Sequence, residues 1–220
     1  VKESGRYISC DPQVAYYSTK LQTERLETLR FAKELRKELN RPLSVCDPFC
    51  GVGPALSTLI AEDGLVGNIL ASDLNAAAVE LLFENLQRWE KREYPTESTP
   101  IEQYYNDRIV GLADATELSN NPDISGKWDL VLVNLPHRTI DFLPKLIPLL
   151  NRSNVSLIRG RVIVAESDIP SVNEKINQIL PPIAAGKSKP ELKIKRDYSS
   201  TLRLCSFEAW IEKAIASGIE

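Results

Sequence analysis

Four polar positions in this chain, Asp47, Asp73, Asp114 and Asn134, each close a short apolar run. A polar residue at the C-terminal end of a parallel strand stands at the edge where open α/β sheets take ligands. Asp47 leads at once into Pro48-Phe49-Cys50-Gly51-Val52-Gly53-Pro54, where glycines let backbone lie close to a bound molecule. Asp73, within Ala71-Ser72-Asp73-Leu74-Asn75, offers a carboxylate to both hydroxyls of a ribose, as in a dinucleotide or an adenosyl compound. The loop after Asp47 discriminates between these. A dinucleotide fingerprint, G-x-G-x-x-G, needs a third glycine where Leu56 stands, and no phosphate-loop Lys-Ser/Thr pair is present. An acidic residue beneath the loop suits a ligand ammonium better than a diphosphate. S-adenosylmethionine, with its ammonium, sulfonium and ribose diol, is therefore the expected cofactor. For each aspartate alone a helix cap is the architectural alternative; their shared order favours a ligand.

Asn134-Leu135-Pro136 closes the fourth strand. The carboxamide offers an acceptor and an NH₂ donor, and Pro136 stiffens the peptide after it. The group suits an amide or amine edge of a planar base close to the sulfonium methyl, with a simple turn as the alternative.

These positions require a regular scaffold. Short apolar runs at Leu43–Cys46, Gly67–Ser72, Asp107–Leu112, Asp129–Val133 and Gly160–Ala165 read as strands. Helical periodicity occupies Thr23–Leu39, Ala55–Glu62, Ala76–Lys91, about Ile140–Leu150 and Ser171–Leu180. The alternation predicts an α/β fold with a mostly parallel sheet covered on both faces. Glu191–Arg196 and Thr201–Trp210 flank a Tyr198-Ser199-Ser200 turn and predict an antiparallel edge pair. Residues 1–20 predict a short hairpin or extended segment around Cys10-Asp11-Pro12, and Glu93–Asn106 a loop, partly mobile. The expected organisation is an N-terminal extension over 1–40 packed on a ligand-binding domain over 41–220.

The 220 residues supply one full hydrophobic core, with 43% apolar and 26% charged positions. A net charge of -3 excludes a chain-wide nucleic-acid footprint and leaves room for a local basic face. Cys10, Cys46, Cys50 and Cys205 lack CxxC spacing and His137 is the single histidine, so free thiols in a reducing compartment are expected, and no metal cluster. No long apolar run or signal-like start is present, and the expectation is a cytoplasmic protein without a membrane partner. Methionine is absent even at position 1, as expected of a chain that begins inside a longer protein or lacks residues.

The motifs together resemble the catalytic domain of the archaeal/eukaryotic tRNA guanine-37 N1-methyltransferases and their relatives that transfer an aminocarboxypropyl group in wyosine synthesis. Five segments carry the resemblance, over about residues 5–145. They are Val14-Ala15-Tyr16-Tyr17 leading to Thr23-Glu24-Arg25; the loop Asp47–Pro54; Asp73-Leu74-Asn75 with Ala78-Val79 and Glu84-Asn85; Asp114-Ala115 with Glu117; and Asn134-Leu135-Pro136. The resemblance implies a Rossmann-like S-adenosylmethionine-dependent methyltransferase fold. It implies cofactor contacts from Asp47, Phe49, Gly51, Gly53, Asp73, Leu74, Asp114, Ala115 and Asn134, and a base pocket from Asn134, Leu135 and Pro136. Glu117 matches a general base for the N1 proton of guanine, and Arg25 a cation for charge developing on O6.

Several positions depart from the family pattern. Thr116 stands where many relatives carry arginine, and Ala55 replaces an aromatic after the loop proline. Arg159-Gly160-Arg161-Val162-Ile163-Val164 replaces a glycine-rich strand with a histidine-tyrosine pair. Residues 1–20 are too few for the family's N-terminal RNA-recognition domain, so tRNA is the expected partner, met with a separate domain or partner chain. Arg138, Arg152, Arg159, Arg161, Lys187, Lys189, Lys193, Lys195 and Arg196 cluster in the second half, and some of them are expected to line a phosphate-binding face, with solvated surface as the alternative. The alternatives to methyl transfer are aminocarboxypropyl transfer from the same cofactor and a catalytically silent adenosyl- or RNA-binding partner protein.

Overall fold

A computed structural model describes residues 1–15 and 17–214. The chain divides into two compact units, Val1–Leu118 and Ser119–Glu220. The first forty residues belong to the first unit together with residues 41–118.

In the first unit, β1 (Lys2–Glu3) and β2 (Arg6–Tyr7) form a hairpin. Its turn is Ser4-Gly5, both at positive φ (49° and 77°), and not Cys10-Asp11-Pro12 as expected. Two residues at positive φ match the twist of the paired strands, which fixes the turn here. Helix α1 (Gln22–Leu39) buries Phe31, Ala32 and Leu35 on one face and ends at Asn40 in the left-handed region. Strand β3 (Leu43–Asp47) is buried along its whole length, as a parallel strand covered on both faces should be. Then follow α2 (Pro54–Ile60), β4 (Val66–Asp73), α3 (Ala76–Glu90), β5 (Glu102–Tyr105) and β6 (Arg108–Leu112). The strand order is β5-β6-β4-β3, with β3, β4 and β6 parallel and β5 antiparallel at its edge.

Strand β5 corrects the expectation of a loop over Glu93–Asn106. Tyr94 and Tyr104 pack on the buried Phe83, with ring centroids 6.0 and 5.5 Å from it. The Ile101 and Leu112 backbones exchange bonds with this stretch, Ile101 N–H to Leu112 O (2.9 Å) and Leu112 N–H to Thr99 O (2.8 Å). Buried aromatic area here outweighs the polar composition of the segment.

The second unit contains β7 (Leu130–Val133), α4 (Thr139–Leu146), β8 (Ser156–Ala165), α5 (Ile169–Ile179), β9 (Lys193–Asp197) and β10 (Leu202–Ile211). Its order is β7-β8-β10-β9, with β7 parallel to β8 and the other neighbours antiparallel. The expected turn at Tyr198-Ser199-Ser200 joins β9 to β10. Strand β8 starts at Ser156 rather than Gly160, because Arg159 is buried against Glu208 of β10 and its charge conceals the strand in the sequence. No helix among the described residues is long and apolar enough to cross a membrane.

Candidate functional site

Parallel pairing brings the C-terminal ends of β3, β4 and β6 to one edge of the first unit, which carries Asp47, Asp73 and, beyond Leu112, Asp114. The loop after β3 is held by backbone groups. Gly51 N–H donates to Asp73 Oδ2 (2.8 Å), and Cys50 N–H to Ser72 O (3.0 Å). The second oxygen of Asp73 accepts from Asn75 N–H (3.0 Å), an Asx turn that hands the chain to α3. Asn75 caps α3 through Ala78 N–H (3.4 Å), and its NH₂ donates to Val14 O (2.6 Å). Each oxygen of Asp73 keeps lone-pair capacity for a further donor.

Gly53 sits at φ +82°, and a Cβ there would fall 2.7 Å from Leu82 Cδ1 and 3.3 Å from the Trp89 ring. The loop therefore lies directly on α3, closer than any side chain permits. Asn85, fully buried, locks this arrangement. It accepts from Ser9 N–H (2.7 Å) and donates to Ser9 O and Val52 O (2.9 Å each). Ile8, Ala15, Val52 and Ala78 pack as one apolar cluster, so the N-terminal segment presses on the loop from outside.

The predicted residues of this unit differ in how they are presented. Leu74 is 70% exposed beside Asp73, an apolar side chain left open at a strand end. Phe49 is half-buried and Ala115 buried. Asp114 is exposed and accepts from Thr116 N–H and Oγ1 (2.8 Å each), which holds its carboxyl below the usual carboxylate range. Glu117 is exposed in the same turn, its N–H donating to Asp114 O (3.0 Å). Asp47 is sealed beneath the loop at 1% exposure. Burial, and then the negative charge of Asp47, pushes the thiols of Cys46 and Cys50 well up.

Arg25, expected at a reacting base, is 3% exposed and committed to Glu3 through two bonds of 2.5 Å. Its second terminal nitrogen also donates to Ser18 O (3.1 Å), and its guanidinium lies 5.6 Å from the Tyr17 ring centroid. Tyr17 Oη donates to Glu3 (2.8 Å), and its phenol is pushed up to about 12 by burial, then by Glu3. The Thr-Glu-Arg segment thus anchors the hairpin. Tyr16 lies outside the described residues.

In the second unit Asn134 ends β7 half-buried, and its Oδ1 accepts from an Arg161 terminal nitrogen (2.7 Å). Pro136 O accepts from Ile163 N–H (2.9 Å). The buried Thr139 hydroxyl lies 2.5 Å from Arg161 O and 3.0 Å from Leu135 O. All three residues of the Asn-Leu-Pro turn are thereby fastened to β8 or α4. Just beyond it His137 meets Tyr198 (Nε2 to Oη 3.1 Å). The expected phosphate face is corrected at several positions: Arg159 and Arg161 are buried, Lys193 pairs with Glu208 (2.5 Å), and Lys187 sits 3.7 Å from the Trp210 ring centroid. Two arginines two apart in a buried strand demand partners, and that was the available signal for Arg161.

With this geometry in place, residues 1–158 match the family described as TRM5/TYW2 methyltransferase domain. The chain belongs to that family. It is 29% identical over 143 residues to a tRNA (guanine(37)-N(1))-methyltransferase of Paramecium tetraurelia, covering 65% of this chain and 31% of that protein. The crystal structure of the M. jannaschii tRNA m1G37 methyltransferase superposes with a TM-score of 0.68 at 22% identity, covering 97% of this chain and 56% of that one. M. jannaschii TYW2 in complex with AdoMet gives 0.67 at 21%, covering 97% and 85%. The chain spans about a third of the length of the curated relatives it matches. The fold is the Rossmann-like fold of S-adenosylmethionine-dependent methyltransferases, as the alternation of strands and helices led us to expect.

Proposed function

We propose that this family member is the catalytic part of an S-adenosylmethionine-dependent tRNA methyltransferase acting on N1 of a guanine. The observation that carries the reading is the Gly51–Asp73 clasp, a glycine loop fixed beside a carboxylate with spare acceptor capacity. The Paramecium and M. jannaschii relatives are named for guanine-37 N1 methylation of tRNA, and the TYW2 structure holds AdoMet.

The residues present fit that cofactor. Gly53 lets the loop close tightly on α3, Leu74 offers an open apolar surface, and Asp114 is held below the usual carboxylate range by its hydrogen bonds from Thr116. Asp73 accepts the ribose hydroxyls, Leu74 and Ala115 flank the adenine, and Gly51 and Gly53 admit the amino-acid end. When bound, the cofactor supplies an electrophilic methyl group. Glu117 takes the N1 proton of the guanine, because N1 is protonated at neutral pH and must lose its hydrogen to be alkylated. Asn134 donates to O6, where negative charge collects as that proton leaves. Arg25 supports the hairpin and leaves the chemistry to these groups.

A second reading is aminocarboxypropyl transfer, because the matching family model spans TRM5 and TYW2 together. Bulk tRNA incubated with the chain and cofactor, then digested for nucleoside mass spectrometry, tests both. A methyl mass gain on guanosine is expected. An aminocarboxypropyl gain moves the assignment to the second reading, and cofactor binding without any RNA product identifies a silent partner protein. The free thiols of Cys46, Cys50 and Cys205, all buried, fit a reducing compartment, and we place the reaction in the cytoplasm.

A further inference from the structure

We infer that Arg161 is a positioning residue that fixes the hydrogen-bonding polarity of the base pocket, turning Asn134 into an obligate donor toward the oxygen edge of guanine. The inference rests on the guanine-N1 reading and concerns the second unit alone.

An asparagine amide has two orientations about its last torsion, and in a half-buried turn either end could face the ligand. Arg161 removes the ambiguity. A guanidinium carries five N–H donors and no acceptor, so the group facing it must be Oδ1. The 2.7 Å separation is that of a charge-assisted bond. Turning the amide over would set NH₂ against a buried cation, so Nδ2 is committed to the opposite direction. A pocket whose asparagine presents N–H matches a carbonyl oxygen and is mismatched to an exocyclic amino group. At the six-position that chemistry separates guanine, which carries O6, from adenine, which carries NH₂.

The support is continuous. Arg161 is 9% exposed within β8, and its own carbonyl receives the buried Thr139 hydroxyl at 2.5 Å. Ile163, two residues on, donates its N–H to Pro136 O. Side chain and backbone of one strand segment therefore hold the turn from Asn134 to Pro136, and the bond at Oδ1 opposes rotation of the amide. The buried cation also pulls electron density from Oδ1, which sharpens the N–H groups as donors.

The test uses the whole chain with Arg161→Met, Arg161→Lys and Asn134→Asp. Arg161→Met should lower kcat for transfer to guanine by about tenfold or more while leaving cofactor affinity within about twofold by calorimetry. Arg161→Lys, which keeps one charged donor, should recover part of the rate. Asn134→Asp keeps the shape and pairs with Arg161, yet has no N–H to give, and should abolish transfer. If Arg161 acts through Asn134, adding Arg161→Met to Asn134→Ala should cost nothing beyond Asn134→Ala alone. Wild-type kcat in Arg161→Met or Asn134→Asp, or additive losses in the double variant, overturns the inference. Should Arg161→Met not fold, the Lys and Asp variants decide by the same criteria. Should the wild-type chain transfer nothing to RNA, the functional reading fails, and the side-chain amide spectrum still decides the clamp. The Asn134 NH₂ pair should be well dispersed in the ¹⁵N-labelled wild type, collapse toward the free-amide position in Arg161→Met, and shift only part of the way in Arg161→Lys. Resonances unchanged in both variants overturn it.

Discussion

Asp73 and Asn134 each stand at the C-terminal end of a parallel strand, and the two units hold them by opposite means. Both carboxylate oxygens of Asp73 are met by backbone N–H groups, from Gly51 and Asn75. The amide oxygen of Asn134 is met by a side chain, Arg161, supplied by the next strand of its sheet. A backbone clamp survives substitution of the residues that make it, so long as the turn persists. A side-chain clamp can be retuned by one substitution without altering the fold. The first unit is built to keep one ligand geometry, whereas the chemistry accepted by the second hangs on residue choice.

The largest exception to backbone control in the first unit is the Glu3–Arg25 pair, at 5% and 3% exposure. Glu3→Ala should destabilise the chain by about 3–5 kcal/mol in urea denaturation, because it leaves a buried guanidinium charge without its counter-ion. Replacing both, as Glu3→Leu with Arg25→Met, should recover most of that loss, since an apolar pair carries no desolvation cost. A loss under about 1 kcal/mol for Glu3→Ala would show that water reaches Arg25. The double variant also decides the chemistry. A stable protein with kcat intact assigns Arg25 to architecture, and lost kcat with intact stability returns it to the reacting base.

Two glycines give a smaller and more discriminating break. A Cβ at Gly53 meets Leu82 at 2.7 Å under a positive φ, and one at Gly160 meets the Phe207 ring at 2.2 Å. Gly53→Ala and Gly160→Ala should each cost about 1–3 kcal/mol as the neighbours shift. Their functional signatures should separate. Gly53→Ala should weaken cofactor binding, because the loop lifts off α3. Gly160→Ala should leave that binding in place and lower transfer, because the displaced strand carries Arg161. Equal loss of cofactor affinity in both would erase the distinction between the units.

The same contrast explains what could be read from the sequence. The strand ends at Asp47 and Asp73 and the glycine loop are local turn chemistry, written in adjacent residues, and the structure places them as expected. Arg161 read as a surface cation for phosphate because its partner lies across a strand pairing whose register the sequence does not display. Glu3 escaped notice for the same reason: nothing near it in sequence announces Arg25. Strand β5 was hidden by proline and charge in Glu93–Asn106, although Tyr94, Tyr104 and Tyr105 were the visible sign of a packed segment.

The smallest effect probes the Glu3 network through pH. Folding raises the Tyr17 phenol from 10.0 to about 12, through burial first and then its hydrogen bond to Glu3. The folded state thus holds this proton more tightly than the unfolded chain. The resulting stability is fully present below pH 10.0 and is lost as the pH rises toward about 12. Tyr17→Phe removes both the bond and the titration. At neutral pH it should cost about 1 kcal/mol, the ordinary net worth of one hydrogen bond. Between about pH 9 and 12 the gap between wild type and variant should close, because only the wild type loses the Tyr17 contribution. Other raised phenols, Tyr94 and Tyr104, titrate in both proteins and cancel in the difference. A gap that stays constant across this range would mean that Tyr17 does not share its proton with Glu3. The Glu3 carboxylate would then be held by Arg25 rather than shared with Tyr17, and the first unit would rest even more on backbone clamps than the comparison with Asn134 implies.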